Sequence, residues 1–241
     1  MPWLMKAEPD SRIVKGKDVR FSVDHFEEIG ISPWDGVRNH EVKKIMKEKM
    51  KTGDKVLFYH SNCKTPGVFA LAEIAKEGYP DHTAWDQEHP YFDPKSSKES
   101  PTWFMVDVQF KDRLPHPPTL ALVKQLASSS ALPQEVSYIG KQGLDAIKAM
   151  ALVNRGRLSV QPVEGEAYDA IVKLGMQGGW DSLLGTRGRT RTSTVGDKAT
   201  SGSDEDKKNA RKTASKVRER SEKNKNGETI RQRRSKRIRN S

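Results

Sequence analysis

A single cysteine, Cys63, in 241 residues rules out an intrachain disulfide and any zinc cluster built from several thiolates of one chain. It fits a reducing compartment. Long apolar runs are also missing. Nothing approaches the roughly 18 uninterrupted apolar residues that a membrane-spanning helix needs, and the opening MPWLMKAEPD has too short an apolar stretch for a secretory leader. The expectation is a soluble protein that is not secreted and meets no membrane. Hydrophobic residues make up 34% of the chain, low for one folded from end to end, so part of it is expected to stay unfolded. Enzyme signatures are scarce as well. There is no phosphate loop, and GKQG and GMQGGW lack the strand-then-helix setting of a dinucleotide site. His60, Ser61 and Cys63 lie too close together to serve one another as base, nucleophile and orienter. His60 with Cys63 has no further ligands at metal spacing. No catalytic residue, cofactor or metal is expected.

What is present is charge, unevenly placed. The net charge is +11, yet residues 1–186 hold 24 Lys+Arg against 25 Asp+Glu, and residues 187–241 hold 19 against 7. The attraction for a polyanion thus belongs to the final segment, and the rest must be argued from shape and chemistry. Beyond about Gly185 large aliphatics are few. Such a stretch cannot bury enough apolar surface to offset backbone ordering at roughly 1–2 kcal/mol per residue. The expected division is a folded domain over 1–182 and a disordered basic tail over 183–241. Within the tail, RQRRSKRIR gathers Arg231, Arg233, Arg234, Lys236, Arg237 and Arg239, suited to a nuclear import receptor or to phosphates. TRGRTRT offers Arg187 and Arg189 in an Arg-Gly-Arg core like that of minor-groove hooks, without the usual following proline. Ser201 and Ser203, beside an acidic stretch, are sites where phosphorylation would weaken an anionic interaction.

In the folded part, WLMKAEP alternates as a strand with Trp3 and Met5 on one face and Leu4 and Lys6 on the other. Ser22 is placed to cap a short helix closed by Gly30. Asn39 caps a second, which carries Val42, Ile45, Met46 and Met50 at helical spacing and a lysine face that reads as solvated. KVLFYH, GVFALAEI over Gly67 to Ile74 and TWFMVDVQF read as strands, with a loop from Gly78 to Pro101. PPTLALVKQLA is a helix opened by proline, GRLSVQPV a last strand, and EAYDAIVKLG a last helix stopped at Gly175.

WLMKAEP, WDGVRN, the strand turning out at FYHS and RLSVQPV, in that order and spacing from Trp3 to Pro162, resemble the EVE domain. GVFALAEIAKEGYPD, YFDPKS and WFMVDVQF fit between them, and the resemblance covers about residues 2–176. It implies an α+β, PUA-like fold: a small twisted β-barrel flanked by helices, related to domains that read modified bases. The family commonly has serine at the position of Ala7 and a shorter segment where this chain has residues 134–150, which reads as a peripheral insertion.

WDGVRN gathers Trp34, Val37, Arg38 and Asn39 just before a helix. A flipped base needs a face to stack on and an amide or backbone edge to read it. Trp34 is either that stacking face or core, and Asn39 either the edge reader or a helix cap. The resemblance favours the base site for both. At FYHS, alternation lets two of three neighbours share a pocket, and Tyr59 and Ser61 are chosen, with His60 read as structural. Lys6 and Glu8, on one face of the first strand, either neutralise each other or line the pocket, Lys6 together with Ser159. Trp85 reads equally as a lid or as packing beside Tyr91, and Trp103 reads as core. The function expected is that of a nuclear nucleic-acid-binding protein, a reader of bases such as methylated or hydroxymethylated cytosine in DNA or RNA. The alternatives are a protein-interaction adaptor with an import tail, or an enzyme acting on modified nucleotides.

Overall fold

The computed structural model describes residues 1–185. The expectations for Arg187, Arg189 and the arginines and lysine of 231–239 lie outside the described residues. In chain order the elements are β1 (Trp3–Ala7), β2 (Ile13–Val14), β3 (Lys17–Asp18), α1 (Val23–Ile29), β4 (Ile31–Pro33), α2 (His40–Glu48), β5 (Lys55–His60), β6 (Gly67–Pro80), β7 (Phe104–Arg113), α3 (Leu120–Ser128), α4 (Gly140–Ala149), α5 (Ala151–Asn154), β8 (Val160–Pro162) and α6 (Gly165–Gln177). Six strands form one mixed sheet in the order β4-β7-β6-β5-β1-β8, and β2 and β3 make a separate ribbon. β1 runs parallel to β5, with Trp3 opposite Val56 and Ala7 opposite His60, and antiparallel to β8.

Trp3, Leu4 and Met5 are all buried because β1 is an interior strand covered on both faces, the condition that turns an alternating strand into a continuous apolar run. Alternation still sorts them. Leu4, Leu57 and Tyr59 pack under α3, α4 and α6, whereas Trp3, Met5 and Phe58 join Phe26, Trp34 and the apolar stripe of α2. Val160 of β8 and Val106 and Val108 of β7, from near opposite edges, meet in that second cluster, so the sheet curls around it. This is the α+β, PUA-like architecture that the resemblance implied.

The helix signals hold at both ends of α1. The Ser22 side chain accepts from the His25 amide to open α1, and Gly30 closes it at φ 75°. Elsewhere the structure departs from expectation. β6 continues to Pro80 through register shifts that let the polar KEGYP stretch keep pairing with β7. α3 is opened by the Thr119 hydroxyl, which accepts from the Leu122 amide, and the prolines only precede it. α6 runs past Gly175 to stop at Gly178. Gly175 is instead a close-packing position, where an added Cβ would sit 2.7 Å from Leu114 Cδ1. Residues 134–150 are not peripheral: Val136, Ile139, Leu144 and Ile147 are buried in the helical-side core. Their apolar residues recur at helical spacing, and that core is where such a stripe goes.

His60 ties α1 to β5. Its Nε2 accepts the Val23 amide at 2.9 Å and its ring stacks on Phe69 at 4.1 Å. Burial, only partly opposed by the Asp24 and Asp10 charges, lowers its pKa from 6.5 to about 4. The unfolded chain therefore takes up this proton first, and the stabilisation present at neutral pH is lost as pH falls from about 6.5 towards 4. It amounts to roughly 3 kcal/mol. Urea unfolding at pH 7.5 and 4.5 is expected to show a smaller pH dependence in His60→Gln than in the unaltered protein. Equal dependence would remove His60 from the account.

Candidate functional site

A cavity of about 670 Å³ opens at the end of β1, within the size range of small-molecule pockets. Its floor is β1's last turn of chain, Lys6 to Glu8. The β3 ribbon and its exit, Lys17 to Phe21, form one wall, and the stretch Pro33 to Asn39 forms another. His89, Pro90 and Tyr91 close a third side, and Ser159 completes the rim.

The Pro33–Asn39 wall is shaped by a carboxylate that is wholly buried. Asp81 takes hydrogen bonds from the Gly36 amide (3.1 Å), Arg38 Nη1 (2.7 Å), the Thr83 amide (3.0 Å) and the Thr83 hydroxyl (2.5 Å). Burial alone would raise its pKa. The bonds from Thr83 and Arg38 outweigh that and hold the carboxyl below its ordinary value. Arg38 is thereby committed: Nε donates to the Tyr91 carbonyl at 2.8 Å, its guanidinium lies 5.6 Å from the Trp103 ring centre, and Nη2 is buried without a partner among the described residues. Gly36 has φ 69°, and a Cβ there would lie 2.5 Å from the Tyr91 ring, so this turn accepts no side chain.

Six of the eight residues read from sequence as base-binding line this cavity: Lys6, Trp34, Val37, Arg38, Asn39 and Ser159. Trp34 is buried, edge-on to Phe21 and Phe58 at 6.0 and 6.1 Å, and is a wall anchored in the core. Both readings of Asn39 meet in one side chain. Its Oδ1 accepts the Glu41 and Val42 amides to cap α2, and the residue still borders the cavity. Lys6 and Glu8 do not pair. Lys6 Nζ donates to the Gly156 carbonyl at 2.6 Å, and burial lowers its pKa, while Glu8 is held by Arg12 at 2.8 Å and Asn62 at 2.7 Å.

Two expected residues fall elsewhere. Tyr59 alternates to the face under the helices and is 3% exposed within that core. Ser61, just past β5, turns back so that its hydroxyl donates to the Ala7 carbonyl at 3.2 Å. Trp85 does not border the cavity. Trp103 is buried, as expected, but just before β7 and outside the two main clusters, and its indole donates to Asp93 at 2.6 Å. Sequence reasoning missed Phe21, Asp35, Asp81, His89 and Tyr91. Asp35 borders the cavity 4.0 Å from His89 Nε2, and burial, reinforced by the charge of Asp81, raises its pKa. Asp35 stood within WDGVRN itself, and for Asp81, His89 and Tyr91 the signal was the density of acidic and aromatic residues in the loop from Asp81 to Phe92.

The curled mixed sheet, with an aromatic- and amide-walled cavity at the end of β1, defines a PUA-like domain. The chain belongs to the EVE domain family, whose model matches residues 2–174. It is 40% identical over 179 residues to thymocyte nuclear protein 1 of Homo sapiens, spanning 71% of this chain and 72% of that protein. The Danio rerio protein of the same name is 41% identical over 174 residues, spanning 71% of each. Among solved structures, human THYN1 in complex with DNA containing 5-methylcytosine superposes with a TM-score of 0.62 at 39% identity, covering 72% of this chain and 96% of that one.

Removing the Asp81 carboxylate leaves the largely buried Arg38 guanidinium without its ion partner. Asp81→Ala is expected to lower stability by about 3 kcal/mol, measured by urea unfolding at pH 7, the cost typical of breaking a buried pair from one side. A loss under about 1 kcal/mol would mean that the wall is held in other ways.

Proposed function

We propose that this chain is a non-enzymatic nucleic-acid-binding protein of the nucleus that examines single modified bases, methylated or hydroxymethylated cytosine foremost, in the cavity beside Asn39. The observation that carries the reading is the likeness to human THYN1, a structure with 5-methylcytosine DNA, together with a cavity large enough for a base and open at one side. The nuclear assignment is supported by the relatives' name and by the basic stretch over 231–239.

A base leaves its stack at a cost of a few kcal/mol and must recover this in the pocket. Phe21 and Tyr91, both half-buried, offer aromatic surface with Trp34 behind them. The Asn39 Nδ2 group, left over from the cap, donates to a base-edge acceptor. The Asp35 carboxyl accepts from an exocyclic amine such as the cytosine N4 group. Val37 supplies an apolar contact for a methyl substituent, and Lys6 and Ser159 stand at the rim. The tail over 183–241 contacts phosphates through its arginines without reading sequence, and its tethering makes the domain's contact intramolecular. Arg187 and Arg189 enter a minor groove in this reading, and an import receptor recognises Arg231 to Arg239.

Asn39→Ser separates cap from reader, because serine caps as well as asparagine but has no amide. In titrations of matched oligonucleotides, unmodified or carrying methylated or hydroxymethylated cytosine, the variant is expected to keep its unfolding midpoint and to lose most of the preference between them. A preference retained in full removes Asn39 from base reading, and none in the unaltered protein overturns the reader. Deleting residues 187–241 is expected to flatten the salt dependence of binding and leave the preference standing; an unchanged slope would take the tail out of phosphate contact.

A further inference from the structure

α2 begins at the cavity with Asn39 and carries His40, Lys43, Lys44 and Lys47 at spacings of three and four, which is one helix face. Sequence alone reads such a face as solvated. Three observations on the structure argue for more. First, three ammonium groups share this one face, and among the described residues no carboxylate lies within ion-pair distance of Lys43, Lys44 or Lys47, the nearby Glu41 being taken by Arg155. Second, two of these ammonium groups are placed by aromatic rings: Lys43 lies 5.6 Å from the Trp103 ring centre and Lys47 4.5 Å from that of Phe104. Contact with a ring steers an ammonium group and leaves its hydrogen-bond donors free. Third, a groove between α2 and Pro101, Thr102 and Phe104, with Glu48 also on its lining, adjoins the cavity where Asn39 is followed by His40. Trp103 lies against Arg38 in the cavity wall as well as against Lys43 and the His40 ring.

We infer that this face is a second nucleic-acid contact, the track for the phosphodiester backbone of the DNA strand that flanks the extruded base. The inference rests on the base-reading proposal for where the strand comes from. From Lys43 to Lys47 a helix rises about 6 Å. One DNA strand presents a phosphate every 3.4 Å or so along its axis, so two to three phosphates face the three lysines. The domain up to residue 186 is close to electrically neutral, so this is a local concentration of charge and not a reflection of net charge.

The test uses the full chain carrying Lys43→Gln, Lys44→Gln and Lys47→Gln together, with glutamine chosen because it keeps helix propensity. A control protein carries Lys124→Gln, Lys148→Gln and Lys173→Gln, on the helices that cover the other face of the sheet, and has the same net charge. Binding to a methylated duplex is followed against salt, with circular dichroism to establish that both variants are folded. The expected result is a slope of log K against log salt that is shallower by about 2 to 3 for the α2 variant and nearly unchanged for the control. The preference for modified over unmodified duplex should be the same in both. An unchanged slope in the folded α2 variant, or equal flattening in the two variants, overturns the track. If the unaltered protein shows no base preference while the α2 variant alone flattens, the base-reading proposal fails and the phosphate track stands.

Discussion

A fully buried carboxylate, Asp81, governs the geometry of the site. An ion removed from water without partners would cost several kcal/mol, so the surrounding chain must bring donors to it. Those donors come from Gly36 and Arg38 on one loop and Thr83 on another. Satisfying the charge thus fastens the loop after β6 to the loop between β4 and α2. Once Gly36 and Arg38 are fixed, Trp34 is held against Phe21 and Phe58, and Asn39 begins α2 at the cavity edge. The positions of the candidate base-contacting groups follow from electrostatic closure at a residue that itself has no exposed surface.

The fold was legible wherever a local rule was obeyed without tertiary help. Ser22 and Asn39 capped as their chemistry required, and the apolar stripe of α2 was buried as its spacing indicated. The readings that missed were decided by packing. Gly175 has the residue type of a helix stop, yet it is glycine because Leu114 leaves no room for a Cβ. β6 outran its apolar segment because pairing with β7, eased by bulges, carried the polar residues along. Residues 134–150 were read as an appendage from comparison of length alone, while their apolar residues found a core.

The site was legible in part for a related reason. WDGVRN is contiguous, so its residues could be gathered by eye, and β1 and Ser159 followed from alternation and from the resemblance. Tyr59 was misplaced because alternation says that neighbours diverge but not which face holds the cavity. That depends on the helices α3, α4 and α6 covering one side of the sheet. Asp81, His89 and Tyr91 lie some fifty residues beyond WDGVRN, in a loop with no periodicity, and only the closed structure brings them to the cavity.

The placement of β1 has a bearing on the protein's synthesis. This strand, the first described element to be made, lies between β5 and β8, and its partner on one side is Val160 to Pro162. Its three consecutive buried residues, Trp3, Leu4 and Met5, cannot be enclosed by local pairing and wait for a strand made more than a hundred and fifty residues later. Contacts so distant in sequence carry a loop-closure cost that slows folding. A nascent chain therefore holds an apolar β segment unfinished until residues 160–162 have been made, an interval in which a holding chaperone would matter more for yield than the stability of the finished domain.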